Sequence, residues 1–203
     1  MVQDGHKLEL STCHQALNIM ARSGDMVRPL LIIMLMKQVG LTPDMQAYTL
    51  AVRACRGLQA ISVANGLLAE AKVAGLAPDT GMYSAMIKAC RPSQDVDRAL
   101  ELFHEMEATP SCAFMVKDWR IWSNLMAALN AGGQPEKVSE KFEEMVKRGI
   151  EPSVCIYSHT LAAHAARGHH AQVHDLLARM PALGAADKGE CHASIISAYA
   201  STD

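Results

Sequence analysis

The stretch Tyr83-Ser84-Ala85-Met86-Ile87 is answered by Trp122-Ser123-Asn124-Leu125-Met126 and again by Tyr157-Ser158-His159-Thr160-Leu161. Each aromatic opens a small-residue run of helical character. A turn follows, then a second helical run with a Phe/Leu-x-x-Met signature: Phe103 to Met106, Phe142 to Met145, Leu177 to Met180. A proline closes the repeat, as in Gly149-Ile150-Glu151-Pro152. Self-similarity at a fixed beat has to be settled before any search for a site, because each such hairpin buries its apolar face only against its neighbours.

Working outward, Tyr48 and Tyr83 are 35 residues apart, as are Trp122 and Tyr157, and Tyr157 and His192. Counting back 35 from Tyr48 reaches Cys13, which opens Cys13-His14-Gln15-Ala16-Leu17. Only the step from Tyr83 to Trp122 is longer, at 39. Two further columns keep the beat: Gly40, Gly75, Pro110, Gly149, Gly184, and Met36, Ala71, Met106, Met145, Met180. Pro43-Asp44 and Pro78-Asp79 recur in phase, with Pro152-Ser153 in the equivalent place. The expected fold is all-α, an array of stacked helix-turn-helix repeats in which each contacts mainly its neighbours.

The opening aromatic, the polar residue after it, the Phe-x-x-Met of the second helix and the Gly-aliphatic-x-Pro-Asp closure together resemble the pentatricopeptide repeat family, over residues 10–203. A 34-residue tetratricopeptide beat would drift by one residue per repeat, and the Gly and Met columns do not drift. The resemblance implies a right-handed α-solenoid, with an N-terminal segment at 1–9, repeats at about 10–44, 45–79, 80–118, 119–153 and 154–188, and a partial one at 189–203.

The resemblance also implies a ligand. Equivalent side chains of stacked hairpins line up, so they suit a partner that repeats once per hairpin, and such arrays read single-stranded RNA at about one base per repeat. The family's base-reading pair is the polar residue after the opening aromatic and the polar residue after the closing Pro. Carried over, this gives Thr49 with Asp79 and Ser84 with Asp118, both guanine-type combinations. It also gives Ser123 with Ser153, His14 with Asp44, and Ser158 with Lys188. Apolar groups from the start of adjacent repeats wedge the base. The insertion before Asp118 puts that residue's placement in question.

Phosphate affinity needs Lys or Arg beside the readers. Arg53 and Lys88 occupy the same position in successive repeats, and Arg56 and Arg91 do so three residues later, on the same helical face. Residues 127, 130, 162 and 165 end this ladder as Ala, Asn, Ala and Ala. Against RNA stands a net charge of −2, since nucleic-acid-binding domains are usually basic, although distribution matters more than the sum.

The 203 residues are half apolar and only 4% aromatic, with 13 Met, which suits packed helix pairs better than a sheet. No apolar run approaches the ~20 residues of a membrane span. The six Cys lack any Cys-x-x-Cys pair and read as buried free thiols. Residues 1–9 lack transit-peptide or signal-peptide character, and the end at Ala200-Ser201-Thr202-Asp203, with Ile195 and Ile196 uncovered, reads as a piece of a longer protein.

Turns are expected at Ser23-Gly24-Asp25, with Asp25 capping the next helix, at Arg56-Gly57, and at Arg91-Pro92-Ser93 before an N-cap from Ser93 or Asp95. Pro29 and Pro135 fall in first turns. Ser111 to Lys117 is four residues more than the pattern needs, and reads either as a tolerated bulge or as a partner-binding loop.

Among His159, His164, His169, His170 and His174 only the last two have i, i+4 spacing, too few for a zinc site, and no catalytic motif occurs. The expectation is therefore no enzyme, no metal and no cofactor. The reading is a single-stranded RNA-binding adaptor in organellar RNA processing, stability or translation. By resemblance it is placed in mitochondrion or chloroplast, with no membrane partner and no small-molecule substrate. The alternative is a protein-binding scaffold such as a ribosome- or assembly-associated subunit; a non-binding segment of a multidomain enzyme is a third.

Overall fold

Ten α-helices account for most of the described chain: α1 Leu10–Ser23, α2 Val27–Gln38, α3 Met45–Ala54, α4 Ala60–Val73, α5 Thr80–Ser93, α6 Val96–Ala108, α7 Trp119–Ala131, α8 Pro135–Lys147, α9 Val154–Ala165 and α10 His170–Arg179. A 3-10 helix, Ala113–Lys117, lies between α6 and α7. This computed structural model describes residues 9–23, 26–180, 193 and 196. Gly24, Asp25, Pro181, Gly184, Lys188, Cys191, His192 and Ile195 lie outside the described residues; Ile196 is exposed.

The chain forms two compact parts, one ending at Ser93 and one starting at Gln94. In the first, α1, α3 and α5 pack in series, α2 packs against α1 and α3, and α4 against α3 and α5. In the second, α6 packs on α7, α7 on α9, α8 against both, and α10 on α9. Each part is thus a run of helical hairpins in which α2, α4 and α8 each wedge between two successive first helices. The fold is an all-α helical-repeat solenoid.

The repeating columns each have a physical task. The opening aromatics Tyr48, Tyr83, Trp122 and Tyr157 are buried, as are Met36, Ala71, Met106 and Met145; Met180 is half-buried. Phe103 meets Trp122 edge-on at 4.9 Å between ring centroids, and Phe142 meets Tyr157 at 5.3 Å. The Phe of one second helix therefore seats the next opening aromatic, a geometry worth roughly 0.5–1.5 kcal/mol beyond burial.

The Gly-aliphatic closure caps the second helices. The N–H groups of Leu41, Leu76 and Ile150 donate to the carbonyls of Met36, Ala71 and Met145, at 2.8, 3.0 and 3.2 Å. This six-to-one closure needs a left-handed residue just after the helix, and Gly40, Gly75 and Gly149 supply it at φ 75°, 77° and 73°. The Met column is therefore both core and cap acceptor.

Three expectations change in detail. The third hairpin does not turn at Arg91-Pro92-Ser93: α5 runs through Pro92 to Ser93, and the chain reverses at Gln94, with φ 56°. Asp95 is the N-cap, accepting from the Arg98 N–H at 3.1 Å, while Ser93 Oγ donates back to the Cys90 carbonyl. The N-cap of α2 is Met26, with no side-chain cap. The insertion is a docked element, since Cys112 and Val116 are buried and Trp122 Nε1 donates to the Val116 carbonyl at 2.6 Å.

Cys13, Cys55, Cys90 and Cys112 are buried free thiols and Cys155 is a half-buried one. Burial pushes the Cys55 thiol up to about 11, so it is not a thiolate at neutral pH.

Candidate nucleic-acid interface

The residues that follow the closing positions stand at the N-termini of the first helices, where orphan N–H groups favour an Asp or Ser acceptor. Asp44 Oδ1 accepts from Ala47 N–H at 2.8 Å, Asp79 Oδ1 from Met82 N–H at 2.7 Å, and Asp118 Oδ1 from Arg120 N–H at 2.9 Å. Ser153 N-caps α9 but makes no cap bond, and its Oγ is buried without a partner.

The other member of each pair sits one residue past the opening aromatic. Tyr48 is held by its hydroxyl donating to Glu70, which also binds Lys37 from α2. Burial, then the Glu70 bond and charge, drive the Tyr48 pKa up. Burial alone would raise Glu70, but its bonds to Lys37 and Tyr48 outweigh that and hold it below its usual range. This anchored ring fixes Thr49 beside it.

Thr49 and Asp79 both approach Gly81. The position a Cβ on Gly81 would take lies 3.2 Å from Asp79 Oδ1 and 3.6 Å from Thr49 Cγ2. Both side chains thus border one small space, and Thr49 Oγ1 is buried with no hydrogen-bond partner. An unpaired buried hydroxyl costs roughly 1–3 kcal/mol.

His14 and Asp44 are also together, and they bond each other, Nε2 to Oδ1 at 2.8 Å. Ser123 is half-buried on α7, which packs on α9, the helix that Ser153 caps. Ser84 is half-buried in the first part and Asp118 belongs to the second, so each is described within its own part. Ser158 is buried on α9, and its partner Lys188 is outside the described residues.

Arg53, Lys88 and Arg91 are exposed and, among the described residues, make no ion pair or hydrogen bond. Arg56 is engaged: its Nη2 donates to the Ala21 carbonyl in the last turn of α1, at 3.4 Å.

Charge is sorted by helix, a signal that a residue-by-residue search overlooks. The first helices α1, α3, α5, α7 and α9 contain no Asp or Glu, and carry Arg22, Arg53, Lys88, Arg91 and Arg120. The second helices hold ten carboxylates against eight Lys and Arg. Many of those pair between successive second helices: Lys37 with Glu70, Lys137 with Asp97 at 3.2 Å, Arg148 with Glu107 at 2.5 Å, and Arg179 with Glu143 at 2.6 Å. Within the helices the carboxylates therefore lie on the second set, while Asp44, Asp79 and Asp118 stand at the N-termini of the first set.

The histidines form no metal cluster among the described residues. His164 is buried, with Nε2 2.6 Å from Ser139 Oγ and Nδ1 3.3 Å from His169 Nδ1. No described helix is long and apolar enough to cross a membrane.

Comparison with known proteins agrees with this architecture. The family model describing the pentacotripeptide-repeat region of PRORP matches residues 14–183. No curated protein sequence matches the chain. Among solved structures, PPR10 in complex with an 18-nt psaJ RNA element is 21% identical with a TM-score of 0.71, over 97% of this chain and 27% of that one. The PPR domain of Arabidopsis thaliana protein-only RNase P 1 in complex with tRNA is 14% identical with a TM-score of 0.68, over 91% and 97%. Nuclear proteinaceous RNase P 2 from A. thaliana is 15% identical with a TM-score of 0.68, over 95% and 42%. The chain thus spans about a quarter of PPR10 and under half of the second RNase P.

Proposed function

Because this chain belongs to the pentatricopeptide repeat family, we propose that it binds single-stranded RNA as an adaptor in organellar RNA processing, stability or translation, in mitochondrion or chloroplast. The observation that carries this reading is the approach of both Thr49 and Asp79 to Gly81. The Thr49 hydroxyl lacks a partner, and one Asp79 oxygen is committed to the α5 cap. The other carboxylate oxygen only accepts hydrogen bonds, so it selects a base edge that presents N–H donors, as guanine does with N1–H and N2–H. Thr49 Oγ completes the contact.

Arg53 and Lys88, one repeat apart, stand ready for successive phosphates. Ser123 with Ser153 extends the reading, and Arg56 and Arg91 add positive potential. The chain works by binding rather than by catalysis. PPR10 and the RNase P 1 domain, each solved with an RNA, support the ligand class.

The test is a titration of single-stranded RNA, duplex RNA and single-stranded DNA of one sequence, followed by fluorescence anisotropy. Preference for single-stranded RNA supports the reading; equal, weak binding of all three would defeat it. A second reading, a protein-binding scaffold, is favoured by α2, which exposes Val27, Leu31, Met34 and Leu35.

A further inference from the structure

Eight aromatic side chains are described, and six of them are buried. The two that are exposed are Phe114 at 68%, inside the inserted Ser111–Lys117, and Trp119 at 40%, two residues after it. Phe114 is on the docked 3-10 helix and Trp119 opens α7. Lys117 and Arg120 interleave with them. Lys117 is exposed and, among the described residues, has no ionic partner. The Arg120 guanidinium lies 5.7 Å from the centroid of the Trp119 ring, and its contact with Asp118 is long, at 3.6 Å.

A cavity of about 320 Å³ opens beside Trp119, lined also by Lys117 and by the chain from Arg148 to Glu151. The equivalent openings of the other repeats are Met45-Gln46, Thr80-Gly81 and Val154-Cys155, none with an aromatic or a cation. Lys117 of the insertion thus stands beside Trp119 and Arg120 of α7, an aromatic face and two cations where the other openings have neither. An aromatic face with Lys and Arg beside it is the chemistry that holds single-stranded nucleic acid irrespective of sequence, stacking for the base and charge for the phosphate.

We propose that Trp119, Lys117 and Arg120 form an additional nucleotide subsite: a base of the bound RNA stacks on the Trp119 indole, and its phosphate lies against Lys117 and Arg120. Glu151 on the cavity wall repels phosphate, which assigns the phosphate to the Lys117 and Arg120 side. The subsite sets affinity and register rather than base identity, because every base has a π-face. It rests on the RNA reading above but does not involve Thr49, Asp79 or the Arg53 ladder.

The experiment uses the indole as reporter. Trp122 is fully buried against Phe103, so ligand-induced quenching reports Trp119. Wild type and the Trp119→Ala and Trp119→Phe variants are titrated with an unmodified single-stranded RNA for fluorescence, and with a dye-labelled one for anisotropy. The expected result is saturable quenching in wild type, an affinity loss of roughly ten-fold or more in Trp119→Ala, and near-wild-type affinity in Trp119→Phe. An unchanged thermal midpoint shows that the variants fold. Binding by anisotropy with no quenching, or with equal affinity in Trp119→Ala, overturns the subsite and leaves the RNA reading standing. No anisotropy change in wild type overturns both. Unaltered RNA affinity together with loss of a protein partner in Trp119→Ala makes the patch a protein contact and overturns the subsite.

Discussion

His14 Nε2 lies 2.8 Å from Asp44 Oδ1, so the pair that opens the array is closed on itself. The same oxygen also accepts from the Ala47 N–H. One repeat later Thr49 and Asp79 both lie beside Gly81, and the buried Thr49 hydroxyl has no partner. Equivalent positions therefore differ: the first pair is bonded internally, whereas the second leaves an orphan hydroxyl.

Thr49→Val removes the hydroxyl and keeps the shape. The protein is expected to be as stable as wild type or more so, by up to about 1 kcal/mol, because a buried unpaired hydroxyl is removed. Discrimination for guanine at one RNA position should fall about ten-fold, given the ~1–3 kcal/mol value of a good base-edge contact. His14→Ala should leave discrimination unchanged. Chemical denaturation and anisotropy with single-base RNA variants check both; full discrimination in Thr49→Val would remove the guanine assignment.

The double variant Arg53→Ala, Lys88→Ala removes two exposed cations that make no bond among the described residues. Stability should shift little, and the slope of log affinity against log salt should flatten by about one to two. Arg56→Ala should behave differently, lowering the thermal midpoint because the Ala21 carbonyl loses a donor. A salt series with melting curves separates the two classes.

Gly132 is fixed by packing rather than by dihedral. A Cβ there would come within 2.2 Å of Val96 Cγ2 and 3.4 Å of the Gln94 carbonyl oxygen. Gly132→Ala at this C-cap gains roughly 0.4–1 kcal/mol by restricting the unfolded chain but overpacks a β-branched, buried neighbour, at a cost of about 1–3 kcal/mol. Net destabilisation is expected, partly relieved when Val96→Ala is added. Urea unfolding of the two singles and the double gives the coupling.

His164 is buried beside Ser139 and His169, and burial first, then the nearby His169, pulls its pKa below the usual value, against a smaller opposing effect of Glu136. A lowered folded-state pKa means that the unfolded chain takes up the proton more readily. The contribution to stability is complete above the unfolded value of about 6.5 and is lost as pH falls through the folded value. The thermal midpoint should drop between pH 7 and pH 5, and the drop should be shallower in His164→Gln. Equal slopes would exclude His164 as the titrating group.

The repeating columns were legible because each is enforced by several constraints at once. Met106, for example, is core, and Met36 and Met145 are also acceptors of the Gly-aliphatic closure, so they cannot drift in phase. Pro92 misled the placement of the third turn, since a proline reads as a break; α5 nonetheless continues through it to Ser93, and Gln94 takes the left-handed angle instead. The docking of Ser111–Lys117 depends on the Trp122 indole reaching the Val116 carbonyl, a contact that spacing alone does not reveal. At the candidate site, the repeat indicated that Thr49 and Asp79 occupy corresponding ends of neighbouring first helices, and both lie beside Gly81. The internal bond of His14 and the engagement of Arg56 were not, because both depend on packing between neighbouring hairpins.

Among the described helices every carboxylate lies on a second helix, which has a consequence for handling the purified protein. The first helices carry only cations and the second helices a slight anionic excess, so near the isoelectric point copies of the chain attract one another through unlike helices. At low ionic strength near pH 6.5 it should self-associate and cloud, and modest added electrolyte should clear it by weakening those encounters. A small net charge thus conceals opposite local excesses, and light scattering across a dilution into water would make them visible.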